Sequence, residues 1–353
     1  MKDLGKPINL NLKMNLAIVN ALWYILVGEN FELEDEKLQA IVAQFDQILR
    51  QESRPSFLDK LLMMIHPKLT KLFNSEWHSA RKLFDDLIDL IKPRLDQHKA
   101  HRDPHQPRDF MDAFLAEIER TEDRQSSFYG KRGEESMIAT MIDLFLAGAE
   151  TTTSSLLWAI LCLLHYPDVQ ERVQAELDQV VGPDRKVSLE DRPNLPFTNA
   201  VLMEAMRIAT ITPMALPHSV AQDMEFGGYR IPKNAIIFPN ILQVHYDPNY
   251  WDNPDEFMPS RFYDKDSNTF KPNDHLIPFS VGRRLCLGQT LAEKEYFLFF
   301  CGLLQKFNFK FAPGKTLPGI GKDAGAKIGI LRGVPLHEVV LSSRDRHHIR
   351  PNN

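Results

Sequence analysis

Ten residues, Phe279 to Gly288, constrain this chain more than any other stretch. They read Phe-Ser-Val-Gly-Arg-Arg-Leu-Cys-Leu-Gly, and an apolar, charge-studded run over residues 287–304 follows at once. That run predicts a helix, so Cys286 falls where a tight loop enters a helix start. A helix N-terminus carries roughly half a positive charge and points free N–H groups outward. Such a field favours a thiolate, the form of cysteine that binds metal. Gly282 allows backbone angles closed to other residues. Gly288 lets something flat and large approach the helix start, and Arg284 suits an anionic group on that object. A lone cysteine at a turn, taken by itself, is more often an ordinary buried side chain.

The totals narrow the class. Three cysteines, Cys162, Cys286 and Cys301, are too few and too scattered for a disulfide framework. A reducing compartment fits, and it leaves Cys286 free to act as a ligand. The 353 residues are enough for a large core. With 43% hydrophobic and 25% charged residues the composition excludes a disordered chain. A net charge of −5 gives no global reason to bind nucleic acid. No signal peptide opens the sequence. The apolar run 16–27 carries Asn20 and is shorter than the about 20 residues of a membrane span. The longer run 141–164 contains Asp143 and Glu150 and reads as a buried helix, so no anchor is expected within the chain.

Periodicity predicts helices over 14–28, 35–50, 75–92, 109–120, 134–166, 168–181 and 198–208, separated by Gly- and Pro-bearing breaks. Pro55 and Pro67 bracket a further apolar segment, 58–65. From Thr212 onward short β-like runs appear, such as 235–238, and the tail 307–341 suggests short strands. Residues 342–353 are polar and are expected to fray. No repeat, low-complexity tract or linker is visible, so residues 1–353 read as one mainly α domain with small β-sheets.

The long helix contains Ala147-Gly148-Ala149-Glu150-Thr151-Thr152. Its small residues leave a shallow groove, and its threonines can bond back to the i−4 carbonyl and bend the helix. Alone, a helix-packing notch is the simpler reading. Glu204 and Arg207 stand at i and i+3 and share one face, where an exposed pair is worth only about 0.2–0.5 kcal/mol.

Phe279, Gly282, Arg284, Cys286 and Gly288 match every fixed position of the Phe-x-x-Gly-x-Arg-x-Cys-x-Gly signature, and the chain resembles the cytochrome P450 family, its animal microsomal members above all. The resemblance implies the P450 fold, lacking the N-terminal anchor and the first helices. It makes Cys286 the axial thiolate of a haem b iron. It puts Arg284 and His218 on the haem propionates, and Phe279, Gly282, Gly288, Ala147 and Gly148 against the cofactor. Thr151 would steady bound dioxygen and Glu150 would join the proton relay. Pro259-Ser260-Arg261-Phe262 matches the Pro-x-Arg-Phe loop, so Arg261 would complete a structural triad with Glu204 and Arg207; Ser260 stands where the family commonly has Glu or a related polar residue. Thr212, Pro213, Met214, Ala215, Ala147, Ala149, Ile330 and Leu331 would line an apolar pocket for a hydrophobic substrate. The family's Trp-x-x-x-Arg motif has no copy at the matching place; Trp77 and Arg81 have the spacing but come too late in chain order.

The implied activity is a monooxygenase placing one oxygen atom of O2 into a hydrophobic substrate. No Gly-x-Gly-x-x-Gly follows a strand and no P-loop appears. The electrons are therefore expected from NADPH–cytochrome P450 reductase, with cytochrome b5 as a further candidate, at the cytosolic face of the endoplasmic reticulum membrane. The alternative is a shortened relative that holds no haem, or acts as a non-enzymatic binding partner.

Overall fold

The computed structural model describes residues 4–32, 34–50, 75–324, 326–328 and 331–344. The segment 58–65 and Ile330 lie outside the described residues. The chain forms two compact units: Asn11–Thr153, and Met1–Leu10 with Ser154–Asn353.

In the first unit, α1 (Asn11–Val27) buries Leu16, Ile18, Val19, Leu22, Trp23 and Leu26. It packs on α2 (Glu36–Arg50) and on α4 (Phe110–Arg120). Gly28 ends α1 at φ 72°, with its N–H on the Tyr24 carbonyl at 2.8 Å. A Cβ there would meet Asp109 Oδ2 at 3.0 Å, so both the turn and the close approach require glycine. Asp109 is the N-cap of α4 and accepts the Asp112 N–H.

Helix α3 (Ser75–His101) differs from expectation: it runs through Pro93 and on past residue 92. Proline inside a helix costs about 3 kcal/mol. The residues beyond it explain the continuation. Leu95 and His98 are buried on the stripe begun by Leu87, Leu90 and Ile91, and His98 Nε2 lies 2.8 Å from Asp109 Oδ2. Helix α5 (Gly130–His165) is the long helix, and the boundary between the units falls within it. Among the described residues it alone is long and apolar enough to cross a membrane, and 67% of that window is buried within the protein.

The second unit carries α6 (Pro167–Val180), α7 (Pro196–Ala209), the short α8 (Ile241–His245) and α9 (Gln289–Lys306). Helix α6 packs on both α7 and α9. Strand β1 (Pro7–Ile8) edges a three-stranded antiparallel sheet with β11 (Val339–Ser343) and β8 (Phe307–Phe311), in the order β1-β11-β8. The side-chain amide of Gln170 donates to the Phe309 carbonyl at 3.1 Å and accepts its N–H at 2.7 Å, extending the ladder from a helix.

Two-stranded ribbons complete the unit. Strand β2 (His218–Ser219) pairs with β5 (Ile236–Ile237), and β3 (Met224–Phe226) with β4 (Tyr229–Ile231). Strand β6 (Tyr263–Asp264) pairs with β7 (Thr269–Phe270), and β9 (Ala326–Ile328) with β10 (Leu331–Gly333). The expectation of fraying from residue 342 is corrected in part. Ser342 and Ser343 pair with Asn308 and Phe307, and Arg344 Nη2 lies 2.6 Å from Asp178 Oδ2. The sheet register and this ion pair order three residues that are polar by composition.

Candidate active site

The stretch around Cys286 folds as two nested turns before α9. Ser280, at φ 65°, donates its N–H to the Ile277 carbonyl at 3.0 Å. Gly282, at φ 71°, opens a 3-10 turn over Gly282–Arg284 that Leu285 closes onto Gly282. The Cys286 N–H returns to the Phe279 carbonyl at 2.9 Å, and the Cys286 carbonyl accepts the Gln289 N–H that begins α9. Two of the signature residues therefore meet through the backbone. A Cβ on Gly288 would touch Cys286 Sγ at 3.9 Å, so the bare glycine keeps space beside the sulfur.

Cys286 is the exposed cysteine, whereas Cys162 and Cys301 are buried. Apolar side chains stand open around it: Val281, Leu285 and Leu287, the last 91% exposed. Arg284 is exposed and His218 half-buried, and neither makes a side-chain hydrogen bond or ion pair among the described residues.

Four of the pocket candidates near the C-terminal half, Thr212 to Ala215, form one turn. It closes from the Ala215 N–H to the Thr212 carbonyl, with Ala215 at φ 49°, and the Leu242 N–H ties it to α8 through the Pro213 carbonyl. The N–H of Arg332, the residue after Leu331, bonds the carbonyl of Ile211, the residue before Thr212, at 2.8 Å. Met214 is 40% exposed and offers an open apolar surface.

In α5 the expected cluster divides between two helix faces. Ala147 is exposed and Thr151 half-buried; the Thr151 hydroxyl donates to the Ala147 carbonyl at 2.7 Å, the back-bond expected from sequence. Ala149 and Glu150 are buried, and Asn15 Nδ2 donates to Glu150 Oε2 at 3.0 Å. Residues two apart on a helix point roughly 200° away from each other, so Ala147 and Ala149 do not share a wall. Ala149 packs as core. Gly148 accommodates Leu22 of α1, whose Cδ2 a Cβ would meet at 3.0 Å. On that side the notch receives a neighbouring helix.

The triad is assembled. Arg207 Nε and Nη2 donate to Glu204 Oε2 and Oε1, both at 2.8 Å. Its remaining donors reach the carbonyls of His245, Pro254 and Glu256, so all five N–H groups are used. Arg261 Nε reaches Glu204 Oε1 at 3.3 Å, and its Nη2 donates to the carbonyls of Asp252 and Asn253.

Three polar residues of this region carry no sequence signal of their own. Arg332 donates to the carbonyls of Ile208, Ala209, Gly321 and Ala324, capping the C-terminal end of α7. Thr210 and His245 form the second group. Thr210 Oγ1 donates to the Arg207 carbonyl at 2.6 Å and lies 2.9 Å from His245 Nδ1; His245 Nε2 accepts the Ile277 N–H at 2.9 Å.

Comparison with known proteins decides the family. The family model described as Cytochrome P450 matches residues 2–333. The chain belongs to the cytochrome P450 family. It is 38% identical to Cytochrome P450 2J3 of Rattus norvegicus and 36% identical to Cytochrome P450 2J2 of Homo sapiens, in each case over 87% of this chain and 59% of the relative. It is 35% identical to Cytochrome P450 18a1 of Drosophila melanogaster over 98% of this chain and 65% of the relative. The chain thus spans about three fifths of the length of the first curated relatives it matches. The mainly α architecture with small antiparallel sheets is that expected of a P450.

The residues around Cys286 fit a haem. An accessible sulfur at a helix start, a bare glycine beside it, open apolar side chains and the exposed Arg284 suit a flat apolar macrocycle with anionic edges.

Proposed function

We propose that this protein is a haem-thiolate monooxygenase acting on a hydrophobic substrate, with residues 1–353 belonging to a single P450 domain. The overall reaction turns a substrate C–H, O2, two electrons and two protons into a C–OH and water. The observation that carries the reading is Cys286: an exposed thiol whose amide is pinned to Phe279 at the start of α9. Bound haem would supply the activation of O2.

The chain's own residues have four tasks. Cys286 ligates the iron, and Phe279, Gly282 and Gly288 shape its loop. Arg284 and His218 hold the propionates as charge-assisted partners. Thr212, Pro213, Met214, Ala215 and Leu331 exclude water from an apolar substrate. Glu150, steadied by Asn15, and Thr151 hand on protons. The Thr151 hydroxyl donates to the Ala147 carbonyl, so proton delivery requires that bond to exchange. Electrons come from a separate flavoprotein reductase, NADPH–cytochrome P450 reductase, with cytochrome b5 as a second donor, at the endoplasmic reticulum membrane.

The test is Cys286→Ser. The reduced wild-type protein under carbon monoxide shows the red-shifted Soret band of a thiolate-ligated haem, and the variant loses it; a variant that keeps the band and its oxidising power refutes the reading. Thr151→Ala is expected to uncouple reductant consumption from product formation, read as reductant oxidised per product formed. Unchanged coupling removes Thr151 from the relay.

A further inference from the structure

We propose that His245 is a positioning residue for Cys286, fastening the start of the cysteine loop to the buried arginine network through its imidazole ring. Three contacts carry the inference. The ring's Nε2 accepts the Ile277 N–H, its Nδ1 faces Thr210 Oγ1, and its own backbone carbonyl accepts Arg207 Nη1 at 2.8 Å. The protonation of the ring follows from its partners. An amide N–H only donates, so Nε2 must be bare. The Thr210 hydroxyl proton is engaged on the Arg207 carbonyl, so Thr210 oxygen accepts from Nδ1–H. One neutral tautomer satisfies both ends, and any other breaks one of them. Burial and the nearby Arg207 charge push His245 down to about 3, which keeps the ring neutral wherever the protein is handled.

The path from this ring to the sulfur is short. Ile277 turns into Ser280 through its carbonyl, and Phe279 then takes the Cys286 N–H. Among the described residues, His245 is the one side chain that hydrogen-bonds the backbone of residues 277–286. The loop has no strand ladder of its own. Its placement relative to α7 therefore depends on an imidazole that the family signature does not contain.

The inference rests on Cys286 being the haem ligand, but its test begins on the protein without haem. Amide hydrogen exchange resolved to single residues is expected to find the Ile277 N–H protected in the wild type. In His245→Leu, exchange across residues 277–286 should rise about tenfold, the size of one net hydrogen bond, with α7 amides unchanged. In His245→Gln, whose side-chain oxygen reaches the place of Nε2, most of the protection should return. After haem loading, the Leu variant is expected to show a larger share of the thiol-type Soret band under carbon monoxide, and the Gln variant a smaller share. Unchanged exchange at residues 277–286 in His245→Leu overturns the proposal. If that variant does not fold, the wild type decides: an Ile277 amide exchanging as fast as the exposed amides of residues 221–223 also overturns it. Should Cys286→Ser keep the thiolate band, the functional reading falls while the exchange result stands.

Discussion

The arginine network at α7 and the loop around Cys286 belong to one unit and obey opposite rules. At α7 every polar hydrogen of Arg207 has an acceptor, Glu204 is sealed from solvent, and Tyr246 and Trp251 lie 5.4 and 5.3 Å from the guanidinium. The cysteine loop offers an open thiol, bare apolar side chains and an arginine with no partner among the described residues. A buried charge is tolerated only when it is fully paired. A ligand site needs its valences left over. The contrast separates the charges that hold the fold from the groups available for chemistry, although both lie within conspicuous motifs.

The largest expected effect attacks the paired side. Arg207→Leu strands Glu204 and should cost about 3–5 kcal/mol in urea unfolding; a loss below about 1 kcal/mol would erase the contrast. Glu295 sharpens the comparison from α9. It is buried with Oε1 unpartnered, and burial raises its carboxyl from 4.5 to about 7. Between those values the unfolded chain binds fewer protons than the folded one, so this group's contribution falls as pH rises through the window. Glu295→Gln should therefore stabilise the protein at pH about 8 by roughly 1–3 kcal/mol, and change little below pH about 4.5. His245 acts in the opposite direction: lowered from 6.5 to about 3, it withdraws stability as pH falls through that window.

Much of this arrangement was legible in the sequence. Helix periods placed α1, α2, α4, α6 and α7 within a few residues, because each buries a continuous stripe. The passage of α3 through Pro93 was not legible, since proline's cost is local whereas burial of Leu95 and His98 is tertiary. The family resemblance named Cys286, Gly282 and Arg284 and implied the triad, which the i, i+3 spacing alone would have left as a solvated pair. His245, Thr210 and Arg332 escaped because their partners lie far along the chain; Ile277 is 32 residues from His245. The separation of Ala149 from Ala147 was available in principle, since a two-residue step alone sets them on opposite helix faces.

Two smaller perturbations test the loop side. Gly282→Ala must place a side chain at φ 71° and should cost about 1–2 kcal/mol in urea unfolding. A neutral result would show that the loop has another conformation available. Cys286→Ser is expected to change stability least, within about 0.5 kcal/mol, because the exposed sulfur makes no packing contribution to the core. A large loss there would mean the thiol is a structural member and would break the comparison at its centre.

The unequal exposure of the three cysteines has a consequence for the life of the protein. Burial pushes the Cys162 and Cys301 thiols up and keeps them protonated and inert. Oxidant chemistry is thereby channelled to position 286. Of the three thiols in the haem-free protein, the one expected to oxidise first is Cys286, to a sulfenic acid or to a bridge with the same atom on another copy. The chain would age by losing that thiol while its fold remained whole.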